Sequence, residues 1–338
     1  MKAILEKLIH KGDLNALEAR DLMQAIMGGQ LTPAVIAACL VALRMKGETE
    51  EEITSFAQVM REKATPIAVQ EATLIDTCGT GGDASGSINI STTAALLLAG
   101  GGYKVAKHGN RSMTSNSGSA DLLEALGVNL NLTPEQVASC IHQANVGFLF
   151  APQLHGAMKN VMPVRRELGL RTVFNILGPL TNPAGANVQV LGLFDPHLVG
   201  TMIRVLRDLG TRAAFVVSGV SGFDEVAIHE NTLAAHLKPD GEIEEFEFDP
   251  EVFGYEKVPL GEIQGGSPSE NAAVSREILA GSLRGPKRDV IALNAGFAIA
   301  AADGIRLKDA FHQAERLLDE QAGLQALERL IQVSQQFK

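Results

Sequence analysis

Apolar residues in the first 66 positions recur at the spacing of an amphipathic helix. Leu5 and Leu8, for example, begin a series of i, i+3, i+4 repeats that predicts helices throughout this stretch. Gly28-Gly29 is expected to end one helix, and Thr32-Pro33 supplies an N-cap followed by proline at the first helical position. A third helix is predicted to begin at Glu50. The pattern therefore predicts a small helical bundle.

From about residue 72 the pattern changes to short apolar runs that alternate with helical segments. This alternation is typical of βα units around a mostly parallel sheet. Strands are predicted, in chain order, at 73–76, 103–107, 147–150, 188–194 and 213–217, with an exposed antiparallel strand within 238–250. The predicted fold class is α/β: a small N-terminal helical bundle domain plus a large α/β domain with a mostly parallel central sheet. We expect the helical domain to cover 1–70, joined by a segment near 163–178, and the α/β domain to cover 71–338.

Composition narrows the classes of protein that fit this fold. The chain has 338 residues, 46% of them hydrophobic, and a formal net charge of −10. This charge argues against a broad basic face for nucleic acid or for an anionic membrane, although a local basic pocket is compatible with it. The weakly polar stretches at 93–102 and 290–302 are too short for a bilayer span. Three widely spaced cysteines indicate a reducing compartment, so we expect a cytoplasmic protein.

A glycine-rich segment follows the first predicted strand of the sheet. It reads Asp76-Thr77-Cys78-Gly79-Thr80-Gly81-Gly82-Asp83. Glycines let backbone N–H groups approach a ligand closely, and Asn89, Ser91 and Thr92 stand where the next helix, another favourable anion site, is expected to begin. The spacing matches neither a Walker A motif nor a dinucleotide-binding G-x-G-x-x-G motif. The segment therefore predicts a phosphate site, the alternative being a tight turn without a ligand.

A second polar cluster follows the next predicted strand. It reads Lys107-His108-Gly109-Asn110-Arg111-Ser112 and continues with hydroxyl residues as far as Ser119, just before a helix. Cations and a helix start suit phosphate, whereas a solvated basic loop is the alternative if the cluster stands alone. Because the carboxyl ends of neighbouring parallel strands face one crevice, the two clusters together fit one ligand with two phosphate ends.

Two further charged pairs are candidates for the same site. Asp224 and Glu225 are adjacent carboxylates, and a divalent cation such as Mg²⁺ would relieve their repulsion while joining them to substrate phosphates. Such pairs also occur on ordinary surfaces. Arg165 and Arg166 follow a proline at an expected helix start, and one of them would clamp a carboxylate bidentately. The alternative is a pair of surface arginines partnered by Glu167.

Taken together, these segments resemble the anthranilate phosphoribosyltransferases, a family of tryptophan biosynthesis. The resemblance spans most of the chain and rests on the two clusters, on Asp224-Glu225, on Asn89-Ile90-Ser91-Thr92, on Ser117-Gly118-Ser119-Ala120-Asp121 and on Asn175-Ile176-Leu177-Gly178-Pro179-Leu180-Thr181-Asn182-Pro183. It implies transfer of phosphoribosyl from phosphoribosyl pyrophosphate to anthranilate, with release of pyrophosphate. It also implies a homodimer joined through the helical domain. The net charge, not the resemblance, makes nucleic acid and a membrane unexpected as partners.

The resemblance also assigns site residues. The phosphoribosyl pyrophosphate site would comprise Gly79, Gly82, Asp83, Ser87, Asn89, Ile90, Ser91, Thr92, Lys107, His108, Gly109, Asn110, Arg111, Ser112, Met113, Thr114, Ser115 and Ser119. Anthranilate would meet Gly79, Asn110 and Arg165, with Arg165 facing its carboxylate. Two Mg²⁺ ions would be held by Ser91, Asp224 and Glu225. Some relatives carry lysine where Asn116 stands, so we expect the loop to depend more on Lys107 and Arg111.

The chemistry implied by this resemblance needs no dedicated base. An aromatic amine is neutral at pH 7 and loses its proton readily once it is bonded to carbon, so we assign no catalytic base and expect His108 to hold its loop. One alternative function is a pyrimidine-nucleoside phosphorylase, which would carry a Gly-Asp-Lys element after the glycines instead of Gly-Gly-Asp-Ala. Another is a non-catalytic relative that binds nucleic acid, against which the net charge counts.

Overall fold

The structure, a computed structural model, describes residues 1–112 and 116–338. The N-terminal bundle lies wholly within the described residues and consists of α1 (Lys2–Ile9), α2 (Ala16–Met27), α3 (Pro33–Lys46) and α4 (Glu50–Lys63). One helix was expected where α1 and α2 lie. The break between them is fixed by a capping box, in which Asn15 Oδ1 accepts from the Glu18 N–H and the Glu18 carboxylate accepts from the Asn15 N–H, both at 3.0 Å.

The α/β domain is built on a seven-stranded sheet, counted over the described residues. Its strands are β1 (Ile75–Gly79), β2 (Val105–Gly109), β3 (Val146–Phe150), β4 (Val188–Gly192), β5 (Ala213–Gly219), β6 (Thr232–Leu237) and β7 (Ile243–Phe248). The order across the sheet is β3-β2-β1-β4-β5-β6-β7, parallel from β3 to β5 and antiparallel from β5 to β7. The predicted class, a helical bundle plus a mostly parallel α/β domain, is confirmed.

Two strand predictions need correction. The first strand begins at Ile75 and ends at Gly79, so Asp76 and Cys78 belong to the strand and not to the turn behind it. The strand β6 was not predicted at all. Its sequence, Thr-Leu-Ala-Ala-His-Leu, lacks the alternation of polar and apolar residues that marks a half-exposed strand, because β6 is buried between β5 and β7.

Helices cover both faces of the sheet. They are α5 (Ile90–Gly100), α6 (Ser119–Ala125), α7 (Pro134–Ala144), α8 (Ala151–Leu154), α9 (Met162–Leu168), α10 (Phe174–Leu177), α11 (Val199–Asp208), α12 (Pro268–Leu279), α13 (Pro286–Asp303), α14 (Leu307–Asp319) and α15 (Ala322–Gln335). Because side chains alternate along a strand, Val188 and Val190 of β4 pack into the core with α5 and α13, whereas Leu191 faces the core that α11 shares with the bundle.

The bundle and the sheet domain are in direct contact. Arg61 of α4 donates through Nε to the Leu180 carbonyl at 2.7 Å and through Nη1 to the Leu209 carbonyl at 3.1 Å. The helices α9 and α10, which belong to the connection between β3 and β4, contact α3 and α4 respectively. The segment around these two helices therefore lies against the bundle although it is distant from the bundle in sequence.

Within residues 1–112 and 116–338, no single helix has both the length and the apolar character needed to cross a membrane. In that same part of the chain, only α13 and α14 taken together meet the length and composition criteria, and the pair is bent by 120°.

Candidate active site

The loop after β1, residues 80–89, has a backbone that depends on glycine. Gly81, Gly82 and Gly86 have φ angles of +70°, +79° and +65°, a region that side-chain-bearing residues rarely adopt. The loop ends at Asn89, which is the N-cap position of α5, and α5 has no acidic residue in its first turn. No acidic side chain of α5 itself therefore offsets the partial positive charge of the helix N-terminus, a charge that favours an anion at the end of this loop.

The described residues of the loop after β2, 110–112 and 116–118, are held mainly by α6. The Asp121 carboxylate accepts from the backbone N–H groups of Ser112 and Gly118, each at 3.0 Å, and from Arg111 Nη1 at 2.9 Å. Arg111 also contacts Glu124 at 2.8 Å. The guanidinium that we expected to grip phosphate is thus paired with two carboxylates. Met113, Thr114 and Ser115, which the resemblance also assigns to the site, lie outside the described residues.

The structure brings these two loops together at the first turn of α5. Asn89 Nδ2 donates to the Ser117 carbonyl at 2.9 Å, and Thr92 Oγ1 donates to Ser119 Oγ at 3.1 Å. Ile90 is buried beneath them. Two segments that are separated by a complete helix and strand therefore form one continuous polar surface at the carboxyl edge of the sheet.

The acidic doublet lies at the same place. Asp224 Oδ2 accepts from the Gly81 N–H at 2.6 Å, and Glu225 Oε1 accepts from the Ser91 N–H at 3.2 Å. A Cβ atom at Gly79 or at Gly192 would collide with Asp224, so both strand ends need glycine to let the doublet approach. The doublet thereby joins the loop after β1 to the start of α5.

Burial disfavours the charged forms of the two carboxyl groups of the doublet. Burial and, to a smaller extent, the neighbouring Asp83 carboxylate raise the pKa of Asp224 to about 7. Burial also raises the pKa of Glu225 to about 8, with the charge of Asp224 adding to the effect. A bound cation would neutralise this charge. The doublet is therefore chemically suited to a divalent metal ion.

The doublet fits Mg²⁺ in particular. In the described part of the chain, no group of three or more His, Cys, Asp or Glu side chains is arranged to hold a metal. Mg²⁺ does not require such a cage, because it commonly takes one or two carboxylates and completes its coordination with substrate phosphates and water. Asp224 and Glu225 provide those carboxylates beside two loops that are rich in N–H groups and hydroxyls.

Lys107 was predicted both as the last residue of the second strand and as the first residue of the polar cluster. It lies within β2, as predicted, but it is only 2% exposed and so is buried rather than presented on the loop. Its Nζ donates to the Thr77 carbonyl at 2.5 Å and to Ser91 Oγ at 3.2 Å. Burial lowers the pKa of Lys107, whereas nearby carboxylates, among them Asp76 and Glu225, oppose that shift. Lys107 therefore acts as an internal counter-charge beneath the first turn of α5.

His108 is buried next to Lys107 on β2. Its Nε2 lies 3.1 Å from His155 Nε2, and its backbone N–H donates to Asp76 Oδ1 at 3.1 Å. Burial and His155 lower the pKa of His108 to about 3, so the ring is neutral at pH 7. The sequence pattern gave Asp76 no role of its own. The signal for Asp76 was its place inside the glycine-rich motif.

Asp76 lies at the centre of a buried network. Its Oδ2 accepts from Asn182 Nδ2 at 2.8 Å, and the same amide nitrogen donates to the Ala106 carbonyl. Burial raises the pKa of Asp76 to about 6, although Lys107 and Asn182 work in the opposite direction. The network ties β1, β2 and the segment before β4 together beneath the two loops.

Arg165 lies half-buried on α9, and no carboxylate among the described residues pairs with its charge. Its guanidinium carbon is 5.7 Å from the centre of the Phe174 ring, and Nη1 is 3.9 Å from Met162 Sδ. Among the described residues, Arg165 forms no salt bridge. Burial lowers its pKa. A guanidinium in such surroundings gains more from an anionic ligand than one in open solvent does.

Two residues that sequence reasoning missed also reach the site. Arg171, from the segment after α9, donates to the carbonyl of Gly82. Asn294, from α13, accepts from the Val226 N–H at 2.9 Å and donates to the Val226 carbonyl at 3.0 Å, which fixes the backbone next to Glu225. Neither residue belongs to a local motif, and their partners are far away in sequence, so no sequence signal pointed to them.

Comparison with known proteins agrees with this geometry. The helical bundle domain model of a glycosyl transferase family matches residues 2–64, and the a/b domain model of that family matches residues 71–323. The chain is 48% identical to the anthranilate phosphoribosyltransferase of Symbiobacterium thermophilum over 331 residues, which cover 98% of this chain and 96% of the relative.

Solved structures give the same result. The anthranilate phosphoribosyltransferase of Thermus thermophilus superposes with a TM-score of 0.92 at 43% identity, covering 98% of this chain and 99% of that one. The Saccharomyces cerevisiae enzyme in complex with PRPP and Mg gives 0.91 at 27% identity, covering 99% and 97%. The chain therefore belongs to this glycosyl transferase family and, within it, to the anthranilate phosphoribosyltransferases.

Proposed function

We propose that this protein transfers the phosphoribosyl group of phosphoribosyl pyrophosphate to the amine of anthranilate and releases pyrophosphate. The observation that carries the proposal is the meeting of the two loops and the acidic doublet at the first turn of α5. A donor with phosphate at one end and diphosphate at the other requires such an arrangement. The reaction is the second step from chorismate to tryptophan.

The donor is proposed to lie across the two loops. Backbone N–H groups of the loop after β1 and the N-terminus of α5 would hold one phosphate end, and the loop after β2 would hold the other. The residues proposed for this site are those that the resemblance assigns between Gly79 and Thr92 and between Lys107 and Ser119. Lys107 and Arg111 contribute indirectly, because both are already engaged by protein groups.

We propose that two Mg²⁺ ions bind at the acidic doublet. Their protein ligands would be Asp224, Glu225 and Ser91. When bound, Mg²⁺ would stabilise the negative charge of the leaving diphosphate. The protein itself positions the donor with N–H dipoles that are fixed before the reaction, which costs no reorganisation when the C1–oxygen bond breaks. The buried carboxylates described above supply the negative charge that draws the metal to this place.

No residue of the chain is proposed as a general base. With a pKa of about 3, His108 is too weak a base to hold a proton at pH 7. The anthranilate amine is neutral and needs no prior deprotonation. The proposed role of His108 is to keep the end of β2 in place through its contacts with His155 and Asp76.

Anthranilate is proposed to contact Gly79, Asn110 and Arg165. Arg165 would face the carboxylate of anthranilate, because it is a half-buried guanidinium without an ion-pair partner among the described residues. We expect Arg165→Ala to raise the KM for anthranilate at least tenfold and to change binding of the donor less. Arg166→Ala, an exposed neighbour on the same helix, is the matched control. Calorimetry showing the larger loss for the donor would remove this role.

Assembly, domain limits and location are part of the same proposal. We propose a homodimer joined through the helical domain, since Ile9, Leu17 and Met45 on its helices are 62%, 70% and 72% exposed. The domain boundary is proposed near residue 70, with the 163–178 segment joining the bundle. A reducing, cytoplasmic location fits three buried free cysteines. The net charge of −10 disfavours nucleic acid and anionic membranes as partners.

A fluorescence assay tests the function directly. Anthranilate fluorescence should fall when the protein, phosphoribosyl pyrophosphate and Mg²⁺ are all present, and it should persist when the metal is chelated. A parallel assay with a pyrimidine nucleoside and inorganic phosphate should show no turnover. Unchanged fluorescence with every component present, or cleavage of the nucleoside, would reject the assignment. Sedimentation with an oligonucleotide at two salt concentrations excludes the nucleic-acid alternative if no salt-sensitive binding appears.

A further inference from the structure

Arg171 makes a contact that the proposed chemistry does not use. It lies between α9 and α10, where its guanidinium carbon is 3.8 Å from the centre of the Phe194 ring. Its Nη2 donates to the carbonyl of Gly82, in the loop after β1. The guanidinium also fills the space beside that glycine, since a Cβ at Gly82 would lie 3.1 Å from Nη2. One side chain therefore joins three segments that are distant in sequence.

Phe194 offers a fixed platform for this contact. It follows β4, and its backbone N–H donates to Thr80 Oγ1 at 3.1 Å. The Thr80 N–H in turn donates to the carbonyl of Gly192, the last residue of β4, at 2.9 Å. The beginning of the loop and the aromatic ring are thus fixed to the same strand end. Arg171 extends from that ring to Gly82, and so it restrains the part of the loop that carries Asp83.

We propose that Arg171 is a positioning residue that holds the loop after β1 in the shape that receives the phosphorylated donor. The inference rests on the function proposed above, because it takes phosphoribosyl pyrophosphate as the ligand of that loop. A loop with three left-handed glycines loses much conformational freedom when it becomes ordered. Because Arg171 restrains the loop before the donor arrives, less conformational entropy is lost on binding, and the donor binds more tightly.

The substitution Arg171→Ala tests the proposal. With Mg²⁺ saturating, we expect the Kd for phosphoribosyl pyrophosphate, measured by calorimetry, to rise about tenfold, the size typical of one lost charge-assisted hydrogen bond. The kcat at saturating donor should stay within about threefold, because Arg171 does not touch the reacting atoms in this scheme. Arg166→Ala is the control: it removes an exposed arginine of α9 and should leave the Kd unchanged. Arg171→Lys keeps the charge but not the planar stacking, and we expect an intermediate Kd.

A double-mutant cycle with Phe194→Leu separates the positioning role from a general structural one. If Arg171 acts through the ring, the double variant should bind the donor no more weakly than the weaker single variant. Additive losses would show that the two side chains act independently and would overturn the proposal. A Kd for Arg171→Ala within twofold of wild type would also overturn it.

Failure of this inference is distinguishable from failure of the proposed function. If wild-type protein does not bind phosphoribosyl pyrophosphate, the proposed function is wrong. If wild type binds the donor and Arg171→Ala binds it equally well, only the role of Arg171 is wrong. Thermal unfolding establishes that each variant is folded. Should Arg171→Ala not fold, Arg171→Lys carries the test, and a Kd unchanged from wild type would then overturn the inference.

Discussion

The two loops at the carboxyl edge of the sheet are held in different ways. The described residues of the loop after β2 are fixed mainly by the neighbouring helix α6, whose Asp121 accepts three hydrogen bonds from them. The loop after β1 has short-range bonds from the N–H groups of Ser85 and Ser87. Most of its other described contacts come from distant residues, among them Asp224, Arg171, Gly192, Gly265 and Asn271.

This difference indicates that the two loops respond differently to metal and donor. The described residues of the loop after β2 are held by Asp121, which lies only a few residues beyond them. The loop after β1 depends on left-handed glycines and on Asp224, a carboxylate whose own charge is disfavoured by burial. Its final shape is therefore sensitive to whatever neutralises that carboxylate. The comparison predicts that metal and donor act mainly on the loop after β1.

The largest expected effect comes from removing the charge of the doublet. In the double variant Asp224→Asn, Glu225→Gln, we expect kcat/KM to fall by about 10²–10³, because the diphosphate charge loses its main source of stabilisation. The fluorescence assay across a Mg²⁺ titration measures this loss. Glu256→Gln, an exposed carboxylate in the same domain, serves as the control and should behave as wild type. Retention of metal-dependent activity by the double variant would contradict the assignment.

A smaller effect is expected from loosening the doublet without changing its charge. Asn294→Ala removes both hydrogen bonds to Val226, and we expect about tenfold more Mg²⁺ to be needed for half-maximal activity. Asn294→Asp keeps an acceptor for the Val226 N–H, so its Mg²⁺ requirement should lie between those of wild type and Asn294→Ala. If Asn294→Ala shows the wild-type Mg²⁺ requirement, α13 does not hold the doublet.

A substitution that loosens the loop after β2 should lower the stability of the fold and leave the Mg²⁺ requirement of the reaction unchanged. Partial burial raises the pKa of Asp121, but the N–H groups of Ser112 and Gly118 and the Arg111 guanidinium hold it below its usual value. Asp121 therefore stabilises the fold above about pH 4 and loses this contribution as the pH falls further. We expect Asp121→Asn to reduce the free energy of unfolding by about 1–2 kcal/mol at pH 7, measured with urea. An altered Mg²⁺ requirement in Asp121→Asn would contradict the proposed difference between the two loops.

Asp76, which lies beneath both loops, makes the stability of the fold depend on pH. Burial raises its pKa to about 6, so the folded protein binds a proton at Asp76 that the unfolded chain releases near pH 4. The stability that this proton provides is lost as the pH rises from 4 through 6. Asp76→Asn should flatten the pH dependence of unfolding in that window by at most about 1.4 kcal/mol per pH unit. Identical slopes in the two proteins would contradict the pKa shift.

The features that were predictable from sequence are those with a local cause. Glycine density, helix caps such as Thr32-Pro33, and strand-to-loop transitions depend on neighbouring residues, and they located both loops and the start of α5. The resemblance supplied the identity of the family, which the comparisons confirm. The role of each site residue stays a prediction.

The features that were missed depend on contacts between distant segments. The buried position of Lys107 follows from the pairing of β1 with β2 and the packing of α5, none of which is visible in its own motif. Arg171 and Asn294 meet partners far away in the chain. The strand β6 is defined by its two neighbours in the sheet and not by its own alternation.

The most direct test is a crystal of the protein with phosphoribosyl pyrophosphate and Mn²⁺ in place of Mg²⁺. We expect an anomalous peak within about 2.5 Å of carboxylate oxygens of Asp224 or Glu225, with the donor touching both loops at once. A peak far from these carboxylates, or a donor held by one loop alone, would contradict it.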